Sequence, residues 1–163
     1  MDESSLLLRQ IPHSIEAEQS VLGAMLIDAR CIPDVVEALT GEDFYLKANR
    51  EIYETIYTMF NFSATIDPVT VLDQMKLTGV YDENTSRSYL LQLMEITPTA
   101  ANVKEYIRIV KDKALLRRIA ETAGELTTLV QEGGETAQAV LDLAEQRVYA
   151  IRQGRSAQGL EPL

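Results

Sequence analysis

The feature that most constrains this chain is a long stretch, residues 100–132, that contains no proline and a single glycine, Gly124. Proline and glycine are the residues that most often interrupt helices, so the stretch predicts one helix about 50 Å long at roughly 1.5 Å per residue. The pair Gly133 and Gly134 then breaks the pattern, and a second helix is predicted over residues 135–153. Two long helices joined by so short a break indicate an antiparallel hairpin.

Apolar residues recur at helical spacing on both arms of this predicted hairpin. The stripe on the first arm is wider than one partner helix can cover, and uncovered apolar surface usually marks an interface. The pattern therefore favours pairing with a second hairpin in a four-helix bundle over the alternative that the preceding residues fold back onto the stripe. The predicted dimer interface comprises Leu115, Leu116, Ile119, Ala123, Leu126, Val130, Leu141, Val148 and Ile151.

Shorter amphipathic segments before the hairpin predict a globular head of about five helices. Ser14 is placed to cap the first helix, and Asp67, followed by a proline, is placed to cap the fourth. Gly41 and Gly79 are predicted to end the second and fourth helices.

The fourth helix of the head is predicted to turn Val69, Leu72 and Met75 towards the core. No segment shows the period-two alternation of a strand, so the predicted fold class is all-α, a globular helical head followed by a long antiparallel helical hairpin. The predicted parts are a flexible N-terminus at 1–13, the head at 14–98, the hairpin used for dimerisation at 99–153 and the start of a linker at 154–163.

Charge and composition exclude several classes of protein. The formal net charge of -10 repels polyphosphate, which argues against strong autonomous DNA binding. The single cysteine, Cys31, cannot form an internal disulfide and suits a reducing compartment. The acidic N-terminus does not resemble a signal peptide, and no run of about 20 apolar residues is present, so we expect a cytoplasmic protein without a membrane span.

The residues needed for catalysis are not arranged in any recognisable motif. A nucleotide-hydrolysing motor holds phosphates with a loop ending in Gly-Lys-Ser or Gly-Lys-Thr, whereas none of the eight glycines here precedes a lysine. We therefore expect no ATP hydrolysis, no cofactor site and no metal site in this chain. His13 is expected to shape the start of the first helix, and Cys31 to be a structural thiol. Helix capping and solubility explain the acidic pairs Glu16 with Glu18, Glu42 with Asp43, and Asp82 with Glu83.

One basic helix face lies at the start of the long helix. Lys104, Arg108, Lys111 and Arg118 share this face, and Asp112 stands four residues after Arg108, where the two can pair. A solvated helix face is one interpretation. A weak contact to a partner or to single-stranded DNA, strengthened when several subunits surround one strand, is the other.

Several segments, in order and spacing, resemble the N-terminal domain of the bacterial replicative DNA helicase of the DnaB type. The resemblance covers roughly residues 12–151 and is carried by Ile-Pro-His-Ser-Ile-Glu-Ala-Glu at 11–18, Glu-Asp-Phe-Tyr at 42–45, Asp-Pro-Val-Thr-Val at 67–71, Pro-Thr-Ala-Ala-Asn at 98–102 and Leu-Leu-Arg-Arg at 115–118. The loop at 81–87 departs from the family pattern because it lacks the glycine pair expected there.

The resemblance implies the collar of a hexameric helicase. In such a collar, hairpins pair two subunits, heads join three pairs, and the ring recruits the C-terminal domain of primase. Motif matches imply a primase-binding surface at Glu16, Tyr89, Arg117 and Leu126, although Tyr89 also suits the core. A helicase loader is a further implied partner.

The resemblance also implies that the intact parent is an ATP-dependent DNA helicase whose motor uses ATP and magnesium. The alternative is a stand-alone helical adaptor or decoy that binds replication proteins and never had a motor.

Overall fold

The computed structural model describes residues 11–153, and this range is helical without strands. The predicted all-α fold is therefore confirmed for the described range, whereas the predictions for residues 1–10 and for a linker at 154–163 lie outside it. Short 3₁₀ turns at Ala29–Cys31 and Gly41–Asp43 flank the second α-helix. The α-helices are α1 Ile15–Ile27, α2 Ile32–Ala38, α3 Lys47–Asn61, α4 Pro68–Thr78, α5 Ser86–Glu95, α6 Val103–Glu132 and α7 Ala137–Arg152.

The described residues form two compact units. The head unit is His13–Ala114, and the hairpin unit consists of residues 115–153 together with Ile11 and Pro12. The sequence-based division began the hairpin at residue 99, but the first turns of α6 belong to the head unit. The reason is that Val103, Ile107 and Val110 are buried in the head core.

Most helix boundaries follow the local signals in the sequence. The Ser14 hydroxyl oxygen accepts a hydrogen bond from the Ala17 amide at 3.2 Å and caps α1. Asp67 caps α4 by accepting from the Thr70 amide at 2.9 Å. Gly79 ends α4 with a φ of 80°, in the left-handed region that glycine adopts without strain. These three predictions are confirmed.

Two details of the prediction are wrong. Gly41 does not end α2, which stops at Ala38 because Leu39 turns into the core in an extended conformation. Val69 does not face the core: it is 76% exposed, and Val71 is fully buried instead. At 3.6 residues per turn, Val69 lies about 200° around the helix from Val71, so the two cannot share one face.

Helix α1 lies at the centre of the head unit and is buried on nearly all sides, from Ala17 to Leu26. Its closest neighbour is the end of α5. A Cβ placed on Gly23 would collide with the Thr97 hydroxyl and with the carbonyl oxygen of Leu93. Glycine at position 23 therefore allows α1 and α5 to approach closely, and this packing holds the two helices that carry the candidate surface of the head.

Candidate interaction surfaces

The two arms of the hairpin unit run antiparallel. A guanidinium nitrogen of Arg147 on α7 lies 3.3 Å from a carboxylate oxygen of Glu125 on α6. One turn closer to the connecting loop, Leu129 and Leu143 line the same depression. The predicted antiparallel hairpin is therefore confirmed, and its second arm, α7, has no buried residue.

An apolar groove of about 440 Å³ runs between these arms. Six of the nine residues predicted to form a dimer interface line it, and the other three, Leu116, Val130 and Leu141, lie outside it and are exposed. Ile119 is 52% and Val148 is 50% exposed. Apolar surface of this kind is unfavourable in water unless a partner covers it. The groove is lined by Leu115, Ile119, Thr122, Ala123, Leu126, Val148, Ile151 and Arg152.

The head unit contains a buried carboxylate, Glu18 on α1, which is only 1% exposed. Glu18 accepts hydrogen bonds from the Tyr45 amide at 2.7 Å, the Leu46 amide at 3.4 Å and the Asn49 side-chain amide at 2.9 Å. These donors lie at the start of α3, where the helix dipole favours a negative charge. Glu18 therefore caps α3 from another helix.

The Glu18 network continues to Tyr89 on α5. The Tyr89 hydroxyl donates to Oδ1 of Asn49 and accepts from Nε2 of Gln19 at 3.3 Å. Burial raises the pKa of this hydroxyl above its ordinary value. The hydroxyl of Tyr89 is thus bonded within the head unit, whereas its ring lines a surface cavity.

The four residues that the resemblance assigns to primase binding are divided between the two units. Glu16 is exposed on α1 and Tyr89 is half-buried on α5, both in the head unit. Arg117 and Leu126 lie on α6 in the hairpin unit, where an Arg117 guanidinium nitrogen donates to the Pro12 carbonyl at 2.8 Å. Leu126 lines the apolar groove.

The basic face of α6 is largely paired with acids. Arg108 binds Glu105 and lies 3.0 Å from Asp112, which confirms the predicted Arg108–Asp112 pair. Hydrogen bonding from Arg108 lowers the pKa of Glu105. Lys111 lies 3.4 Å from the buried carboxylate of Asp43. Of the remaining two predicted contacts, Lys104 is exposed and Arg118 is half-buried.

His13 and Cys31 occupy structural positions. The His13 ring stacks on Tyr45 with ring centroids 4.4 Å apart, which fixes the entry to α1. Cys31 is buried, and this burial raises the pKa of its thiol to about 11, which keeps the thiol protonated at neutral pH. In residues 11–153, no cluster of three or more His, Cys, Asp or Glu side chains could hold a metal ion. No helix in that range is long and apolar enough to cross a membrane.

Two important residues were missed by the sequence reasoning. Gly23 carried no turn signal, because its role depends on a contact with α5. Glu18 was assigned to the exposed start of α1, but it caps α3. A signal for Glu18 was present: Leu46 occupies the cap position of α3 and has no side-chain acceptor, which leaves room for a cap from another part of the chain.

Comparison with known proteins decides the family. The family model of the DnaB-like helicase N terminal domain matches residues 10–112, more than half of the chain. The chain belongs to this family. It is 35% identical over 158 residues to the replicative DNA helicase DnaB of Leifsonia xyli subsp. xyli, covering 95% of this chain and 34% of that protein.

A second DnaB relative, from Mycobacterium leprae, is 36% identical over 157 residues, covering 95% of this chain and 26% of that protein. The chain thus spans about a third or less of the length of these DnaB relatives.

A solved DnaB structure agrees with this assignment. The crystal structure of the N-terminal domain of DnaB helicase from Mycobacterium tuberculosis matches with a TM-score of 0.80 and 36% identity, covering 86% of this chain and 99% of that chain. The N-terminal domain of DnaB helicase from Helicobacter pylori matches with a TM-score of 0.62 and 19% identity, covering 80% and 99% of the two chains. That protein was described together with its interactions with primase, and its likeness to this chain concerns the fold alone.

Proposed function

We propose that this chain is the N-terminal collar domain of a hexameric replicative DNA helicase, acting in the bacterial cytoplasm to support subunit assembly and to recruit primase. Membership of the DnaB-like family supports the role in replication. The single observation that carries the assembly role is the open apolar groove between α6 and α7. The motor of the intact parent would bind ATP and magnesium, and a helicase loader would be a further partner.

A second copy of the chain is the proposed occupant of the groove. Two identical hairpins related by a two-fold axis would cover each other's stripes and form a four-helix bundle. Burying the exposed part of a side chain such as Ile119 or Val148 would stabilise the dimer by about 1 kcal/mol at the ordinary transfer coefficient. Several such residues on each copy would together offset the cost of association.

Primase recruitment is proposed through Glu16, Tyr89, Arg117 and Leu126. Because the Tyr89 hydroxyl is bonded to Asn49 and Gln19, the ring is the part of Tyr89 that a partner would contact. Arg117 would add a charged group, and tyrosine and arginine are the residue types most often found at hot spots. Any contact of the collar with DNA is proposed to be weak, since Arg108 and Lys111 are already paired with acids.

Calorimetry with the cognate primase C-terminal domain tests the recruitment role. The parent chain is expected to bind, and Tyr89→Ala and Arg117→Ala are each expected to lose about 2 kcal/mol of binding free energy. Tyr89→Phe keeps the ring and should bind like the parent, although its unfolding free energy should fall. Tyr57→Ala removes a tyrosine that is 42% exposed elsewhere on the head unit and should leave binding unchanged.

The recruitment proposal fails if the parent gives no heat with the primase domain. It also fails if folded Tyr89→Ala and Arg117→Ala both bind as tightly as Tyr57→Ala does. Val148→Asp, which leaves the four proposed primase contacts themselves in place, should weaken binding if the surface requires paired subunits.

A further inference from the structure

The head unit has a depression of its own, which the proposed pairing of hairpins does not involve. It is a cavity of about 620 Å³ lined by residues of α1, α3, α4 and α5 and by the turn between α4 and α5. Ile52 and Met75 form part of its lining and are almost fully buried, so they make an apolar floor. The cavity is large enough to take a side chain of a partner.

The rim of this cavity is acidic. Glu51 and Asp82 line it, and no residue that lines it is basic. Four cations neighbour lining residues in the sequence, and none of them lines the cavity: Lys47, Arg50, Lys76 and Arg87. Arg50 donates to the Phe44 carbonyl, and the Lys76 ammonium lies 4.8 Å from the centroid of the Tyr81 ring. Among the described residues that line the cavity, the carboxylates of Glu51 and Asp82 are therefore not accompanied by a basic side chain.

One wall of the cavity is held in place by hydrogen bonds within the head unit. The Tyr89 ring lines the cavity, and its hydroxyl is bonded to Asn49 and Gln19. Asn49 is in turn held by the buried carboxylate of Glu18 at 2.9 Å. A wall that is held in this way loses little conformational freedom when a partner binds, which favours affinity.

We propose that this cavity binds an apolar side chain of a partner polypeptide whose neighbouring lysine or arginine pairs with Glu51 and Asp82. An amphipathic basic helix presents both groups on one face. A second copy of this chain is a poorer occupant, because the chain has a net charge of -10. The proposal rests on the recruitment function proposed above, for which it names the receiving site on the head unit.

Two pairs of variants test the site on the whole chain. Ser88→Trp would fill the cavity from an exposed position on α5. Its control, Arg87→Trp, places the same ring on the preceding residue, which does not line the cavity. Glu51→Lys reverses one rim charge, and Glu37→Lys makes the same charge change at an exposed position on α2. Circular dichroism checks that all four variants keep the parent helix content.

Two probes are used in parallel: the primase C-terminal domain, and a short synthetic amphipathic helix of Leu, Ala and Lys with a matched peptide in which Glu replaces Lys. We expect Ser88→Trp and Glu51→Lys to bind both the primase domain and the Lys peptide at least tenfold more weakly, while Arg87→Trp and Glu37→Lys bind like the parent. The methyl resonance of Met75 should shift with the Lys peptide and not with the Glu peptide. The resonance of the fully buried Met25 serves as the internal reference.

The outcomes separate the two proposals. Primase binding that is equally tight in Ser88→Trp, Glu51→Lys and the parent overturns the cavity proposal and leaves primase recruitment standing. A Lys peptide that shifts Met75 while no primase binding occurs supports the cavity and contradicts recruitment. Absence of a Met75 shift with either the primase domain or the Lys peptide, or an equal shift with the Glu peptide, overturns the cavity proposal.

Discussion

The head unit and the hairpin unit differ in how far their apolar side chains are buried. In the head unit, Val21, Leu22, Ile56 and Leu93 are fully buried, and even the carboxylate of Glu18 is enclosed and bonded. In the hairpin unit, α7 has no buried residue, and apolar side chains remain about half exposed along both arms.

This difference separates a region that is stabilised by its own buried core from one whose apolar side chains stay exposed. Buried apolar surface and satisfied hydrogen bonds stabilise the head unit without help from another chain. The hairpin unit has regular helices, but its arms bury too little apolar surface for the same argument to apply. Substitutions should therefore affect unfolding in the head unit and assembly in the hairpin unit.

The largest effect on unfolding is expected for Glu18→Ala. It would leave the Tyr45 and Leu46 amides and the Asn49 side chain without their acceptor in a buried site, at a cost of about 3 kcal/mol. Glu16→Ala, on the exposed side of the same helix, should change stability little. Urea unfolding of the two variants measures the difference, and equal midpoints would refute the role of Glu18 as a cap.

A pair of glycine substitutions compares the two units directly. Gly23→Ala forces a Cβ against Thr97 and the Leu93 carbonyl and should destabilise the head by about 2 kcal/mol. Gly124→Ala meets open space on α6 and should stabilise that helix by roughly 0.5–1 kcal/mol through its higher helix propensity. Thermal unfolding at low protein concentration tests both, and a Gly23→Ala chain as stable as the parent would contradict the close packing of α1 on α5.

The reaction rate of the Cys31 thiol tests whether this side chain is buried in the head unit. With its pKa raised to about 11, the thiol is protonated at neutral pH and should react with iodoacetamide at least tenfold more slowly than in the urea-unfolded chain. In Cys31→Ser combined with Gln146→Cys, the new thiol lies on the exposed surface of α7 and should react at the unfolded rate. A native Cys31 that reacts as fast as this control would show that the thiol is accessible.

The raised pKa of Cys31 also makes the free energy of unfolding depend on pH in the alkaline range. Because the folded-state pKa of Cys31 is raised, the unfolded chain ionises first as the pH increases. The contribution of Cys31 to stability is thus present below about pH 9 and is lost as the pH rises towards 11. Cys31→Ser should flatten this part of the stability profile.

The smallest effect is expected for Arg108→Ala. Its guanidinium is paired with Glu105 and Asp112 on an exposed helix face, so neither stability nor affinity for single-stranded DNA should change appreciably. Fluorescence anisotropy with a labelled oligonucleotide at low salt measures the affinity. A large loss of binding in Arg108→Ala, relative to Lys104→Ala, would support a DNA contact through this arginine.

Local signals in the sequence predicted much of the fold. Ser14, Asp67 and Gly79 mark helix ends through contacts with residues a few positions away, and the uninterrupted run in α6 marks its length. The apolar stripes likewise placed six groove residues correctly on the hairpin. These features depend on spacing within one segment, which a single sequence displays.

Features that depend on distant packing could not be predicted in the same way. The Glu18 cap joins residues 27 and 31 positions apart, and the space around Gly23 is set by α5. The end of the head unit at Ala114 depends on which turns of α6 are covered by other helices. Contacts with primase depend in addition on the surface of a second protein, which the sequence of this chain does not display.

The central claim is that the open groove of the hairpin unit is covered by a second copy, and its most direct test is the absolute mass in solution across concentration. The parent, with a chain mass of 18.2 kDa, should reach twice that mass or a higher even multiple at high micromolar concentration. Val148→Asp places a charge in the groove and should remain monomeric while folded, whereas Gln146→Asp, outside the groove, should pair like the parent. A parent that stays monomeric, or a Val148→Asp chain that pairs as well as Gln146→Asp, would contradict the account.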